Sequence, residues 1–288
     1  MRCLSELDLS FAQSGITTEI IVVDNASTDG SREKLAEWKP QHATHYSFIP
    51  QETNVGFSRG NNVGLRRATG RAILYLNSDV LVGNTDRAIV WSNLLRELFE
   101  DVARAGLTVQ VRLPNGSIDP ASHRGFPTPL RSLWYFLGFE RFAVMTNILL
   151  FKRLFGGYHL VHSDLHRPHV VEACTAAFFL VRGDVLRTLQ GFDEEFFMYG
   201  EDLDLCFRMH ASGHSIWWTP TYSVTHLKYQ SGLGSQTPQT KRLITRAFFD
   251  AMWIFYRKNY SAKYGPVVSH LVRAGISLLM FIKTKRFT

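Results

Sequence analysis

Two short apolar runs constrain the fold more than anything else in the chain. TEIIVV, residues 18–23, and AILYL, within residues 71–76, are dominated by apolar side chains, β-branched ones above all in the first. Continuous runs of this length predict strands covered on both faces, as in α/β sheets. Each run stops at a polar turn, Asp24-Asn25-Ala26-Ser27-Thr28-Asp29-Gly30-Ser31 and Asn77-Ser78-Asp79. Ser31 is a predicted N-cap for a helix through Trp38. A further strand is predicted at Tyr46–Ile49, and a glycine-rich loop at 54–64 leads into a helix. Such a loop can offer N–H groups to phosphate, with Arg59 supplying charge, although the glycines alone also fit an ordinary strand–helix connection. Residues 86–103 predict an amphipathic helix with Ile89, Leu94, Leu95 and Leu98 inward. Strand, turn and helix thus alternate from Thr18 to about residue 105, the pattern of a mostly parallel central sheet flanked by helices. In such sheets ligands gather at the carboxyl ends of strands, which singles out Asp79.

Composition narrows the class. The chain has 288 residues, 45% hydrophobic, enough for a substantial core, and a net charge of +7. That charge fits acidic partners: nucleic acid, phosphorylated metabolites or anionic lipid. No Arg-rich arm or nucleic-acid motif is found, so no nucleic acid is expected. Cys3, Cys174 and Cys206 are far apart and form no CxxC, so neither a metal knuckle nor a disulfide framework is predicted, and a reducing cytosol is the simplest home. No signal peptide is visible at the N-terminus. The lack of GxGxxG after a strand argues against a dinucleotide oxidoreductase. The lack of GxxxxGK[ST] argues against a P-loop nucleotidase.

The pattern loosens from Leu113 to Pro168. Residues 133–155 are crowded with Trp, Tyr, Phe and Leu, with Arg131, Arg141, Lys152 and Arg153 around them. They read equally as an acceptor-binding lid or as core beneath a loop. A strand is predicted over 170–181. The stretch Phe192–Met209 then places Asp193, Glu194, Glu195, Glu201, Asp202 and Asp204 among Phe196, Phe197, Met198 and Tyr199. Acidic residues suit the first turn of the helix predicted at 203–210. Apolar neighbours also raise a carboxylate's pKa and suit it to proton abstraction. Short strands are predicted at 215–218 and 222–225, ending at His226, a residue type more often structural than ligating. Residues 267–282 are apolar except for Ser269, Arg273 and Ser277, which recur every four residues, and Lys283, Lys285 and Arg286 follow. This run is shorter than the ~20 residues that span a bilayer. It predicts either a core helix or an interfacial one.

VVDNASTDGS, NVGFSRGNNVG, LYLNSDV, GFDEEFFMYGEDLDLCFR and the later His226 occur in that order. Together, over residues 1 to about 260, they resemble the family 2 inverting glycosyltransferases of GT-A fold. The likeness is greatest to rhamnosyltransferase-like members that build cell-surface polysaccharide in the bacterial envelope. The resemblance implies a metal-dependent transfer of a hexosyl residue, rhamnose foremost, from a nucleotide diphosphate sugar to a glycan or lipid-linked acceptor. Deoxythymidine diphosphate rhamnose is the first donor it implies, with uridine diphosphate sugars open. It implies donor contacts from Asp24, Asn25, Gly56, Arg59, Asn77 and Asp79. Mg²⁺ or Mn²⁺ would be held by Asp79, in the position of the DxD motif, and by His226. Asp202, beside Glu201, matches the general base. A GT-A-like domain over 1–240 and a C-terminal helical extension over 241–288 are expected. The enzyme is expected in the cytoplasm, peripheral on the inner membrane face.

One departure stands out. Relatives open with a strand of the type SIVIVNYN, whereas this chain opens with MRCLSELDLS, which looks like the tail of the first helix. The sheet is therefore expected to lack a strand, and a truncated, inactive nucleotide-sugar-binding remnant is the alternative reading. A sugar-phosphate nucleotidyltransferase would want a basic glycine-rich loop after its first strand, and none is present. A basic lipid-binding module is a fourth class.

Overall fold

A computed structural model of the chain describes residues 1–83, 87–146, 148–228 and 238–285. Its sheet is built on a strand that the sequence reading did not assign, β5 (Arg104–Arg112). Numbering the strands in chain order, β5 pairs in parallel with β8 (Ser215–His226) and antiparallel with β7 (Phe178–Arg182). The order is β3 (Ala72–Leu76), β7, β5, β8, β4 (Val80–Leu81), with β6 (His169–Val171) also paired to β8. Leu107, Val109 and Val111 enter a core with Leu94, Leu98, Phe178 and Val224. Ala105 belongs to a second core with Phe179, Phe192, Met209 and Trp218.

Four expectations are corrected. The sheet is mixed, not mostly parallel, because β7 runs against both of its neighbours and β4 and β6 run against β8. The predicted strand at 170–181 is in fact β6 and β7, broken over residues 172–177, while the two short strands before His226 are one bulged strand, β8. The helix predicted at 86–103 is only α4 (Trp91–Phe99). The period-two alternation of Leu107, Val109 and Val111 with Gly106, Thr108 and Gln110 is the signal of β5 that the overlong helix obscured.

Strands β1 (Glu19–Asp24) and β2 (His45–Pro50) form a separate parallel pair. A carboxylate ties the pair to the main sheet: Glu19 Oε1 accepts from the N–H groups of Thr69 (2.7 Å) and Gly70 (2.8 Å), just before β3. Residues 20–24 of β1 and 72–76 of β3 line one shared cleft. Ahead of β1 lies α1 (Arg2–Ser10), and α2 (Ser31–Glu37) and α3 (Phe57–Arg67) flank β2 in sequence. The buried Asp8 of α1 accepts from the N–H groups of Gln41 and Ala43, both at 2.7 Å, which anchors the segment leading into β2.

Three short helices follow β5: α5 (Pro129–Phe136), α6 (Phe139–Thr146) and α7 (Leu149–Phe155). After β7 come α8 (Gly183–Thr188) and α9 (Glu201–Ala211). Helix α10 (Pro238–Asn259) puts Ala251, Phe255 and Tyr256 into the main core. Helix α11 (Ser261–Thr284) has no buried residue, bends at Gly265, and is long and apolar enough to cross a membrane by length and composition. Its polar stripe is turned toward α10. Ser269 Oγ meets Tyr256 Oη at 3.1 Å, and the Arg273 guanidinium lies over the Trp253 ring at 5.2 Å.

Gly106 tests the packing of the central strand. A Cβ at this position would lie 2.7 Å from Phe179 Cε2 and 3.3 Å from Met209 Cε, both in buried side chains. Gly106→Val should therefore cost about 2 kcal/mol through overpacking. Urea unfolding should show a lower midpoint at unchanged slope. An unchanged midpoint would refute this packing.

Candidate functional site

Helix α9 begins in a strained turn. Tyr199 (φ 68°) and Gly200 (φ 78°) are both left-handed, an uncommon conformation for tyrosine, and they aim Glu201 and Asp202 at the cleft. The other acids of this stretch serve packing. Asp193 and Glu195 pair with Lys258 and Arg257 of α10, Glu194 with Arg59 and Arg66, and Asp204 with Arg208 at 2.6 Å. Of the six predicted acids, two reach the cleft.

Those two sit in different environments. Asp202 Oδ2 accepts from Arg124 Nη2 at 2.8 Å, and each side chain is only 12% exposed. Burial, and then the neighbouring Asp202 charge, push Glu201 up to about 8, so it holds its proton at neutral pH. Glu201 Oε2 is buried without a hydrogen-bond partner among the described residues. One carboxylate is thus compensated by a cation while its neighbour is kept neutral, the kind of separation that marks acid–base sites.

A second group lies where β3 and β8 end. Asp79 Oδ1 is 3.3 Å from His226 Nε2, and Asp119 Oδ2 is 3.2 Å from His226 Nδ1. Lys228 Nζ reaches Asp119 at 3.1 Å. Burial would lower the His226 pKa, but hydrogen bonds that the ring donates to Asp119 and Asp79 outweigh it and raise it to about 9. The sequence reading missed Asp119, Lys228 and the role of Arg124. Asp119 follows a Pro-Asn-Gly turn and precedes Pro120, so its surroundings in the sequence read only as loop.

The remaining predicted donor residues divide. Asp24, at the end of β1, is buried and accepts from Arg32 Nε at 3.2 Å. Asn25 ties down the next loop: its Oδ1 accepts from Val55 N at 2.9 Å, and its Nδ2 donates to Gly56 O at 3.1 Å. Gly56 has φ 87°, and a Cβ there would lie 2.6 Å from the Phe197 carbonyl oxygen; Phe57 N donates to that same oxygen at 2.7 Å. The glycine therefore lets this loop close on the acidic loop. Asn77 lines the cleft beside Asp79. Arg59 does not join them: its side chain is 60% exposed and pairs with Glu194 at 3.3 Å.

Asp79 and His226 have the chemistry of ligands for a hard divalent cation that tolerates one imidazole. Asp119 on Nδ1 would fix the ring, as outer-shell carboxylates do. Among the described residues no group of three or more His, Cys, Asp or Glu is arranged to hold a metal, so donor phosphate and water would complete the shell.

Residues 7–86 match the family described as Glycosyl transferase family 2. The chain is 25% identical over 225 residues to Rhamnosyltransferase WbbL of Escherichia coli, covering 72% of each chain. It is 27% identical over 240 residues, 78% of this chain and 73% of the relative, to an N-acetylglucosaminyl-diphospho-decaprenol L-rhamnosyltransferase of Mycobacterium tuberculosis. Among solved structures, the mannosyltransferase PcManGT of Pyrobaculum calidifontis, in complex with GDP-Man and Mn²⁺, superposes with TM-score 0.52 at 16% identity, over 100% of this chain and 81% of that one. GalNAc-T7, with UDP, GalNAc and Mn²⁺, gives 0.50 at 14% identity over 90% of this chain, which spans about half (48%) of that one. The fold is that of a GT-A glycosyltransferase. The chain is similar to the family 2 glycosyltransferases, as its motifs implied, and rhamnosyltransferases are among the proteins it resembles.

The protonated Glu201 has a consequence for stability. Between its ordinary value of 4.5 and its raised value of about 8, the folded chain holds a proton that the unfolded chain has lost. Stability then falls as pH rises through this window. Glu201→Gln should flatten the decline, which thermal unfolding from about pH 5 to 8 would read. Parallel curves for the two proteins would remove the raised pKa.

Proposed function

We propose that the chain is an inverting glycosyltransferase that uses a nucleotide diphosphate sugar, deoxythymidine diphosphate rhamnose foremost, and a lipid-linked saccharide acceptor in cell-surface polysaccharide synthesis. The observation that carries the reading is the opening of Asp202 and of the Asp79–His226 pair onto one cleft at the ends of strands. The Mycobacterium relative, by its name, acts on a diphospho-decaprenol-linked sugar, which supports the acceptor class.

In this reading Asp202, held by Arg124, takes the proton from the acceptor hydroxyl. The oxygen attacks the anomeric carbon opposite the leaving diphosphate, which inverts the centre without a covalent intermediate. Glu201, neutral, does not compete for the proton. Asp24 and Asn25, at the end of β1, shape the nucleoside end of the cleft. Mg²⁺ or Mn²⁺ on Asp79 and His226 would neutralise charge on the leaving diphosphate. The enzyme works in the cytoplasm at the inner membrane face.

Asp202→Asn should retain nucleotide binding and lower turnover about 10²-fold or more, the scale of general-base catalysis. A panel of deoxythymidine, uridine and guanosine diphosphate sugars, read by release of nucleoside diphosphate, checks this and the donor together. Turnover at the wild-type rate would remove Asp202 as base. Asp79→Ala and His226→Ala should each weaken nucleoside diphosphate binding in Mn²⁺, while binding in chelator stays as in wild type. Calorimetric titration decides, and unchanged affinity in Mn²⁺ would leave His226 structural.

The separation of the β1–β2 pair from the main sheet favours a second reading, a nucleotide-sugar-binding remnant without turnover. Donor binding with no transfer to any acceptor in the panel is the result that reading expects.

A further inference from the structure

We infer that the outer surface of α5–α7 docks on an anionic lipid bilayer and holds the cleft against the membrane. Large apolar side chains are unusually exposed on this segment. Thirteen lie between Leu130 and Leu154, among them Leu137 (60%), Phe142 (51%), Met145 (76%), Leu149 (53%) and Leu150 (62%). That is half of the 26 exposed large apolar residues described, in a run of 25 positions. Exposed apolar area this concentrated marks a contact surface.

The three helices hold one another by their inner faces. Trp134 packs edge-on against Phe139 and Phe155, with ring centroids 5.1 and 5.2 Å apart, and Phe139 stacks on Phe155 at 5.3 Å. Two polar tethers fix the unit to the body. Arg131 donates to Glu172 Oε1 at 2.9 Å, and Glu140 pairs with His159. The outer face is therefore bare although the unit itself is packed.

Charge selects the partner. Glu140 is the only acidic residue in 129–157, and it is buried against His159. The charges left on the surface are basic: Arg141 and Arg153 are exposed, with Lys152 half-buried between them and the body. A cluster of Leu, Phe and Met with cations at its rim suits the boundary of an anionic membrane, where apolar side chains insert and cations meet headgroups. Position gives the docking a use. Leu133, Tyr135, Phe136 and Leu137 of this segment line the same cleft as Asp202. Exposed Leu271 and Leu278 of α11 line that cleft as well. An acceptor anchored by a lipid would then present its sugar to Asp202 without leaving the bilayer. This use of the surface rests on the lipid-linked acceptor proposed above, whereas the docking itself does not.

The test is sedimentation of the full chain with phosphatidylcholine vesicles, alone or with about one-third phosphatidylglycerol, at low and high salt. The wild type should bind the anionic vesicles, more weakly at high salt, and bind neutral ones poorly. The triple variant Phe142→Ser, Met145→Ser, Leu149→Ser should lose at least about 30-fold in partition coefficient, from the apolar area removed. It should keep the wild-type melting temperature, since all three side chains are exposed. Arg141→Glu with Arg153→Glu should abolish the preference for anionic vesicles. Wild-type binding by the triple variant would overturn the inference and leave α11 as the attachment. So would an absence of binding by the wild type, or a triple variant changed only in self-association, which would make the face a contact between copies. Transfer to a water-soluble acceptor, unchanged in the triple variant, separates the two proposals. Vesicle binding without transfer would sink the acceptor chemistry alone, and transfer without vesicle binding the docking alone.

Discussion

The ion pair between Arg124 and Asp202 is the constraint on which the site depends. Arg124 lies in the connection before α5, outside any helix or strand, and its backbone is pinned by an isolated bridge to Ala173. Its N–H and carbonyl pair with Ala173, at 2.7 and 2.8 Å. The guanidinium then crosses to the first turn of α9. Removing one partner of such a pair strands the other charge in a poorly solvated place, which typically costs about 3–5 kcal/mol. The same loop carries Asp119 five positions earlier, where it buttresses His226. A single connection after β5 therefore sets both Asp202 and the imidazole that faces Asp79.

This connection is also where sequence reading ran out. β1, β3 and their terminal turns were legible because a buried strand leaves an unbroken β-branched run, and a turn leaves Asn, Asp, Ser and Gly. Asp79, Asp202 and His226 stood out by motif, and the structure places all three on the cleft. Asp119 and Arg124 leave no such local trace, since their partners are 107 and 78 positions away. The fate of Asp193, Glu194 and Glu195 was equally hidden. Whether an acid faces a substrate or an arginine depends on which helix arrives opposite, and here α10 brings Arg257 and Lys258. Arg59 turns outward in the same way, paired with Glu194.

Small residues do the positioning where two loops meet. Gly56 lets the loop before α3 touch the backbone of Phe197, and Asn25 bonds across to Val55 and Gly56. Three segments that carried separate motifs thereby become one wall: the turn after β1, the glycine-rich loop and the acidic loop. The tie from Glu19 to Thr69 and Gly70 closes the other end, at the start of β1. The β1–β2 pair is thus held to the body by loop contacts and side chains where a continuous ladder would otherwise do it. Its position at the cleft consequently depends on these polar contacts together with Ile20, which packs into the core with Leu7 and Val80.

Charge placement in the cleft follows from that architecture. The Asp202 charge is met by Arg124, and Asp119 by Lys228 and His226, while Glu201 stays neutral because no cation reaches it before Asp202 takes Arg124. Asp79 shares His226 with Asp119, so among the described residues it has, unlike Asp202 and Asp119, no full cation of its own. A divalent ion entering between Asp79 and the phosphates of a donor would supply the charge that Asp79 lacks, and His226 would have to give up its proton to join it. Cation and proton would thus compete at one imidazole, and Asp119, by accepting from the far nitrogen, would keep the ring in place for either.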